Sequence, residues 1–430
     1  MRLRERFFGA RKKDPSILVF GLGTSGGGVG VARFASKLGL SVTATDKKNK
    51  KELARSLSRL RGLPVRLVLG RHRKQDIDRA DIIVKNPGVP ESSPWIRYAR
   101  KKKKIVTNDA ELFLALVPHD RIIGVTGTKG KTTTTRLMAH VLGRSARAVG
   151  IPGTSFFDCF SGTSLPRWIV AEFSSFDLEY VTESPSIVLF TSLFADHLNR
   201  YKNFRDYADT KMRILRFQKK WERAYVVESK NIRKYIPRTY KGNLRFARPK
   251  IGADARGIPY ASCVLVTAVA RSLGISQKQI QQRIASFRLQ PGCLEIVTRR
   301  GAHVGINSTT ATNPGSAQYV IKALAHRYRH LIVITGGEDK KFPASEIAAY
   351  ARVLKRYASG IVVLPGSFTD RLRPYLGSRV VKARSMRDAV TYAVSLRGSV
   401  ALVPAAASFN MFKNEFDRGA QFTKLIRAHL

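Results

Sequence analysis

The 430-residue chain reads as an α/β protein with mostly parallel sheets, divided into three domains. Three observations predict this. The chain is too long for one ordinary core. Three segments each open on a strand-like apolar run and then alternate helical and strand patterns. Two of those runs end in glycine-rich turns that lead into helical sequence. The expected domains are residues 1–118, 119–290 and 291–430, with boundaries near Pro118-His119 and Pro291-Gly292. No tandem repeat or long low-complexity linker interrupts them.

The first segment opens with "SILVFGLGTSGGG", where Gly21, Gly23, Thr24, Ser25 and Gly26 follow a strand and precede the helical "VARFASKLG". Asp46 closes the next strand, "SVTATD". Such glycines let backbone amides and a helix N-terminus approach a diphosphate, and an acid about 20 residues on takes a ribose hydroxyl. By itself this pattern fits a nicotinamide or flavin cofactor, another nucleotide diphosphate, or a tight turn in a doubly wound sheet.

The second segment opens with "DRIIGVTGTKGKTTTT". A standard phosphate loop has glycine five residues before its Gly-Lys pair, and Val125 stands there instead. Gly127, Thr128, Lys129, Gly130, Lys131, Thr132 and Thr133 nevertheless keep the working parts. Glycines turn backbone N–H groups inward, Lys131 reaches the β and γ phosphates, and the Thr132 hydroxyl ligates Mg²⁺. Further on, "WIVAEFSSFDLEY" places Glu172 after an apolar strand, and "SIVLFTSLFADHLNRY" places Asp196-His197 after another. Beyond the carboxyl ends of parallel strands such residues line the ligand crevice, so Glu172 and His197 are candidate metal ligands. The third segment contributes "EIVTRRGAHVGIN" and "HLIVITGG", and the stretch from Lys219 to Lys250 has no clear pattern.

Composition limits the partners. Seventy-seven Lys and Arg against 30 Asp and Glu give a net charge of +47. The basic clusters Lys47-Lys48, Arg71 to Lys74, Arg100 to Lys104 and Arg299-Arg300 are spread through the chain without aromatic interleaving or zinc-finger spacing, so no specific nucleic-acid partner is expected. No run of about 18 apolar residues is present, which argues against a transmembrane helix. The basic N-terminus "MRLRERFFGARKKDP" lacks the apolar core of a secretory signal, leaving only weak peripheral membrane contact open. Cys159, Cys263 and Cys293 are scattered, which excludes a disulfide framework and fits a cytoplasmic location.

The loop "TGTKGKTTTT", then "EFSSFDLE", "DHLNRYKNFRDYADTKMRI", "ATNPGSAQ" and "SFNMFKNEFDRGAQF" stand in the order and spacing of the Mur ligases. The sequence resembles that family along essentially the whole chain, and the last element resembles its D-glutamate-adding branch. The resemblance implies a Rossmann-like N-terminal domain, a P-loop central ATPase domain and a Rossmann-like C-terminal domain in a cytoplasmic monomer. It implies an ATP-dependent amide ligase that joins D-glutamate to UDP-N-acetylmuramoyl-L-alanine through an acyl phosphate, with one Mg²⁺ held by Thr132 and a second by Glu172 and His197 beside Lys211. Lys211 of "DTKMRI" matches the lysine that the family carbamylates. The Gly21 to Gly26 turn, Asp46, Asn86, Pro87 and Gly88 would take the UDP substrate, and Thr312, Lys340, Ser408 and Phe409 the amino acid.

Departures cluster toward the C-terminal side of the nucleotide site. Cys293 stands where the family has an Arg, Ser308 where it has an Asp, and Thr310 where it has a Lys; Ile151 or Pro152 replaces an Asn, and Glu415 an aromatic. Three alternatives compete with this reading, one of them a nucleic-acid-binding ATPase, which would use the +47 charge but lacks an arginine-finger or helicase-like pattern. A ligase of the same family for another amino acid differs only in the C-terminal pocket. A dinucleotide-dependent oxidoreductase leaves the phosphate loop, Glu172 and His197 without a role.

Overall fold

The computed structural model describes residues 15–162, 164–198, 200–250, 254, 257–378 and 380–429. The N-terminal peptide, read above for membrane contact, lies outside them apart from its last residue, Pro15. Among the described residues no helix is long and apolar enough to cross a membrane. The chain folds into two compact units. The first comprises Met1–Ser192, Ala208–Ala247 and Leu265–Ile284, and the second Leu193–Tyr207, Arg248–Val264 and Ala285–Leu430.

The first unit holds two sheets. In one, β1 (Ser16–Phe20), β2 (Ser41–Asp46), β3 (Val65–Leu69), β4 (Ile82–Lys85) and β5 (Ile105–Thr107) run parallel in the order β3-β2-β1-β4-β5. In the other, β6 (Ile122–Thr126), β7 (Ala146–Val149), β8 (Trp168–Glu172), β9 (Ile187–Phe190), β10 (Arg223–Val227) and β11 (Asn243–Ala247) run parallel in the order β11-β10-β9-β6-β8-β7. Continuous apolar runs such as "IIGVT" of β6, buried at every residue, are what a strand covered on both faces requires. The unpatterned stretch 219–250 resolves into β10, the helix Lys230–Tyr235 and the edge strand β11. β11 escaped sequence reading because "NLRFA" is only half covered and lacks an apolar run.

The strand orders place the sites. β1 and β4 are neighbours, as are β6 and β9, and at each junction the order reverses. At such a switch point the loops after the two strands diverge and leave a crevice. The Gly21 turn and Asn86 follow β1 and β4; the phosphate loop and Thr191 follow β6 and β9.

The second unit holds β12 (Glu295–Arg300), β13 (His303–Asn307), β14 (Leu331–Gly336), β15 (Gly360–Leu364), β16 (Val380–Lys382) and β17 (Ser399–Leu402), in the order β12-β13-β17-β14-β15-β16. Among the described strands of this sheet β12 and β13 pair antiparallel, as a hairpin, and the others pair parallel. Separate apolar clusters cover the sheet's two faces.

The C-terminal helix Glu415–His429 is tied to this unit by Arg418, whose side chain is fully buried. Its guanidinium donates to the carbonyls of Thr309 (3.0 Å) and Ala406 (3.2 Å) and to Thr309 Oγ1 (3.2 Å). Burial lowers its pKa to about 10, so it still carries its charge at neutral pH. Arg418→Ala opens a cavity and strands two buried carbonyls, so it should cost about 3 kcal/mol. Thermal unfolding of the variant should show a clearly lower Tm; an unchanged Tm would contradict this role.

Candidate active site

The turn after β1 is shaped by close approach. Gly21 and Gly23 adopt φ of +89° and +67°, and a Cβ on either would fall 2.9 or 2.8 Å from the Asn86 side chain. Asn86 in turn accepts the Gly88 amide through Oδ1 at 2.9 Å. Asp46 is 8% exposed and accepts the amides of Gly23 (2.8 Å) and Lys48 (2.9 Å). Its observed work is to hold the turn. Thr24 and Ser25 are exposed at the crest, and the helix Gly27–Lys37 begins beyond Gly26 with no side-chain cap. Its first amides are therefore free of intrahelical partners, which suits an anion. Pro87 and Gly88 border the same turn.

The phosphate loop is held by its carbonyls. Thr191, just past β9, donates from its amide to Thr126 O at 2.9 Å and from Oγ1 to Lys129 O at 2.5 Å. Ser192 Oγ also donates to Lys129 O at 3.0 Å. Lys211 Nζ donates to Gly127 O at 2.8 Å, and Lys131 Nζ to Thr128 O at 3.2 Å. Thr128 and Lys129 amides donate to Ser192 O and Ser192 Oγ. Gly130, at φ +85°, then starts the helix Lys131–Leu142. Thr132 Oγ1 donates to Glu172 Oε2 at 2.7 Å, and Thr133 is buried in the same first turn.

Glu172 is the last residue of β8 and is 7% exposed. Burial raises its pKa, and Lys131 and the Thr132 hydroxyl oppose that rise. Lys211 is 1% exposed. Thr132 and Glu172 thus bring two hard oxygen donors together at the mouth of the loop, a set that suits Mg²⁺. Among the described residues no group of three His, Cys, Asp or Glu side chains could hold a metal on its own.

In the second unit Asp196 is the organising group. It is 2% exposed. Asn313 Nδ2 donates to it at 3.0 Å, while Asn313 Oδ1 caps the helix Pro314–Ala325 by accepting the Ser316 amide. Lys340 Nζ lies 3.5 Å from Asp196 and donates to Thr312 Oγ1 at 3.3 Å. His197 adopts φ +54° and its amide donates to Asp196 Oδ1. Glu346 faces the same carboxylate; burial, then the charge of Asp196, lifts it to about 7. Ser408 and Phe409 follow Ala407, which bridges to Glu338 two residues before Lys340. Ser408 is buried and Phe409 is 73% exposed.

Of the sequence-predicted residues, Lys131, Thr132, Glu172 and Lys211 converge in the first unit, and Thr312 and Lys340 meet in the second, which also holds His197. Cys293 lines a cavity of about 500 Å³ with Arg288, His326 and Tyr328. Ser308 is buried, its amide bonded to Leu402 O, and Thr310 Oγ1 donates to Gly292 O.

Sequence reasoning missed Thr191 and Ser192, whose only signal was their place after an apolar strand. It also missed the buried acids Asp109 and Asp177. Asp109 opens the helix Asp109–Leu116 behind the Asn108 cap, and Asn108 Nδ2 reaches Asp177 O at 2.8 Å. Asp177 Oδ2 accepts the Ser174 amide at 2.6 Å. Burial, then the charge of Asp177, pushes Asp109 up to about 7, opposed by Lys85. Burial also raises Asp177, opposed by Ser174, Lys131 and Lys211.

A P-loop at the switch point of one parallel sheet, in a chain that also carries two Rossmann-like sheets, defines an ATP-using enzyme of the Mur ligase fold. Residues 125–255 match the Mur ligase middle domain, and residues 15–108 the Mur ligase MurD-like N-terminal domain. UDP-N-acetylmuramoylalanine--D-glutamate ligases of Borreliella burgdorferi and Roseiflexus sp. are 30% and 31% identical to it, each over 96% of this chain and 98% of theirs. Among solved structures, MurC of Thermotoga maritima superposes with a TM-score of 0.62 at 17% identity, covering 96% of this chain and 100% of that one. MurF of Thermotoga maritima, in complex with ADP, does so with 0.61 at 15%, covering 90% and 95%. The chain belongs to the MurD family of Mur ligases, and it is an ATP-dependent carbon–nitrogen ligase.

A pH dependence follows from Asp109. Its ordinary pKa of 3.8 rises to about 7 in the fold, so the folded protein binds this proton more tightly. The resulting stability is complete below about pH 4 and is lost as pH climbs through about 7. Asp109→Asn removes that loss, so its Tm relative to the parent should rise between pH 5 and pH 8. A Tm difference that does not change with pH would contradict this.

Proposed function

We propose that the chain joins D-glutamate to UDP-N-acetylmuramoyl-L-alanine in cytoplasmic peptidoglycan precursor synthesis, acting as a monomer with domains 1–118, 119–290 and 291–430. The observation that carries the reading is the carbonyl-braced loop opening on Lys131, Thr132 and Glu172, in a chain whose relatives carry that activity in their names along nearly their full length.

A carboxylate is a poor electrophile because its carbon is electron-rich and its leaving group would be oxide. The substrate carboxylate oxygen attacks the γ-phosphorus of ATP, ADP departs, and the carbon now bears a phosphate leaving group. The amine of D-glutamate attacks that carbon, loses a proton, and inorganic phosphate leaves with the former carboxylate oxygen. Lys131 and the first amides of its helix take the phosphate chain, because that is where positive charge and unpaired donors coincide. Thr132 and Glu172 would hold Mg²⁺, with Lys211 as a further ligand position. When bound, the ion neutralises charge on the transferring phosphoryl group.

Lys211 serves this only in altered form. A buried ammonium repels a divalent cation, whereas a carbamate, formed when its neutral amine adds to carbon dioxide with loss of a proton, presents anionic oxygens. The Gly21 to Gly26 turn, steadied by Asp46 and Asn86, takes the UDP diphosphate. Lys340 and Thr312, with Ser408 and Phe409 beside them, take the D-glutamate carboxylates.

Phosphate release from ATP by the purified protein tests this assignment. Release should require UDP-N-acetylmuramoyl-L-alanine and D-glutamate together; release with another amino acid instead would replace the proposed specificity. Lys211→Ala should lower turnover by more than about 100-fold, and added bicarbonate should restore part of it. Unchanged turnover would remove the carbamate role.

A further inference from the structure

The basic cluster Arg71-His72-Arg73-Lys74 has no part in the ligase chemistry, yet it is built into a cleft. Arg66, Arg71, Arg73, Lys74 and Arg79 line a space of about 740 Å³ beside β3 and the helix Lys74–Arg79. None of Gly21, Gly23, Asp46 or Asn86 lines it.

The floor is aromatic. The His72 ring stacks on Phe20 at 4.1 Å between centroids and meets Trp95 edge-on at 5.6 Å. Thr45 Oγ1 is hydrogen-bonded to His72 Nδ1 at 2.9 Å. Burial and the neighbouring Lys47 lower the pKa of His72, against the pull of Asp46, so the ring is neutral near pH 7. Arg66 is anchored by the buried Asp76 and by Thr43 Oγ1. Among the described residues Asp76 is the sole acid lining the cleft; Arg66 pairs with its Oδ1, and its Oδ2 is buried.

Arg71, Arg73, Lys74 and Arg79 form no ion pair among the described residues. Four such cations around one concavity repel each other and are relieved by an anion of several charges. Arginine forks match phosphate oxygens in pairs. A space of this volume is that of a small-molecule site, and its rigid ring floor offers a face to a flat group.

We propose that this cleft is a third phosphate site, apart from the phosphate loop and the Gly21 turn, taking a free anion of two or more linked phosphates, such as an oligophosphate or the phosphate chain of a nucleotide. The site is separate from the phosphate loop and stands whether or not the D-glutamate assignment holds.

Calorimetric titration with sodium tripolyphosphate tests it, using Lys131→Ala protein to silence the loop. A site that depends on the cleft cations should remain, beside any binding at the Gly21 turn. Adding Arg73→Gln, Lys74→Gln and Arg79→Gln should weaken it by about tenfold or more. Adding Arg352→Gln, Lys355→Gln and Arg356→Gln, an equal charge change on the exposed face of another helix, should leave it within about twofold. Unchanged melting curves establish that each variant is folded. Equal weakening by both triple sets would overturn the proposal, since binding would then follow overall charge. So would loss of tripolyphosphate binding in Asp46→Ala protein with the cleft cations intact, which would place the probe at the Gly21 turn. Cleft-dependent binding of a single-stranded RNA dodecamer without binding of tripolyphosphate would also overturn it in favour of a macromolecular partner.

Discussion

Phosphate handling in this protein depends on how closely Thr191 approaches Gly127. A Cβ on Gly127 would fall 2.0 Å from Thr191 Oγ1, so only glycine permits the two strand ends to meet. That approach lets β9's end satisfy loop carbonyls, while Lys211 and Lys131 take the others. With the carbonyls of residues 126 to 129 all occupied, no lone pair of the loop needs to face an anion. The donors left over are the amides at the start of the helix Lys131–Leu142, the groups a helix leaves without internal partners. The off-pattern loop, with Val125 buried in β6 where a glycine is usual, is therefore complete by a different route. Its early flexibility is replaced by bracing from the neighbouring strand.

The same constraint governs the buried charges. The charges of Lys131 and Lys211 act on Glu172 and on Asp177, and Asp177 acts on Asp109, which lies beside Gly27 and is reached by Lys85. Each is removed from water at a cost that only mutual neutralisation or a shared proton offsets. In the second unit Asp196 plays the corresponding part for Lys340, Asn313 and His197. Arg418 meets its burial differently, with carbonyls instead of a carboxylate, and thereby ties the last helix to the sheet.

Much of this was legible in the sequence, for reasons that differ by element. Parallel strands covered on both faces need uninterrupted apolar runs, so β1, β6, β9 and β14 announced themselves. Edge strand β11 did not, because half its surface needs no apolar cover. Lys131 and Thr132 were readable because a phosphate loop is local. Thr191 and Ser192 were not, since they act on residues more than 60 positions earlier through strand adjacency alone. Asp196 was noticed only beside His197, and its link to Lys340 exists only in the fold. Asp109 and Asp177 resemble ordinary helix-start and turn acids until burial brings them together. The Arg71 to Lys74 cluster reads as dispersed surface charge in sequence, and becomes a cleft only when Arg66, Arg79 and Trp95 join it.

If the loop delivers phosphate to a carboxylate oxygen before the amide forms, that oxygen must leave with the phosphate. Labelling the alanyl carboxylate of UDP-N-acetylmuramoyl-L-alanine with oxygen-18, and following the inorganic phosphate by phosphorus NMR during turnover with ATP and D-glutamate, reads this transfer out. Each phosphate released should carry one labelled oxygen from the substrate. Phosphate free of label, alongside amide formation, would contradict an acyl-phosphate route.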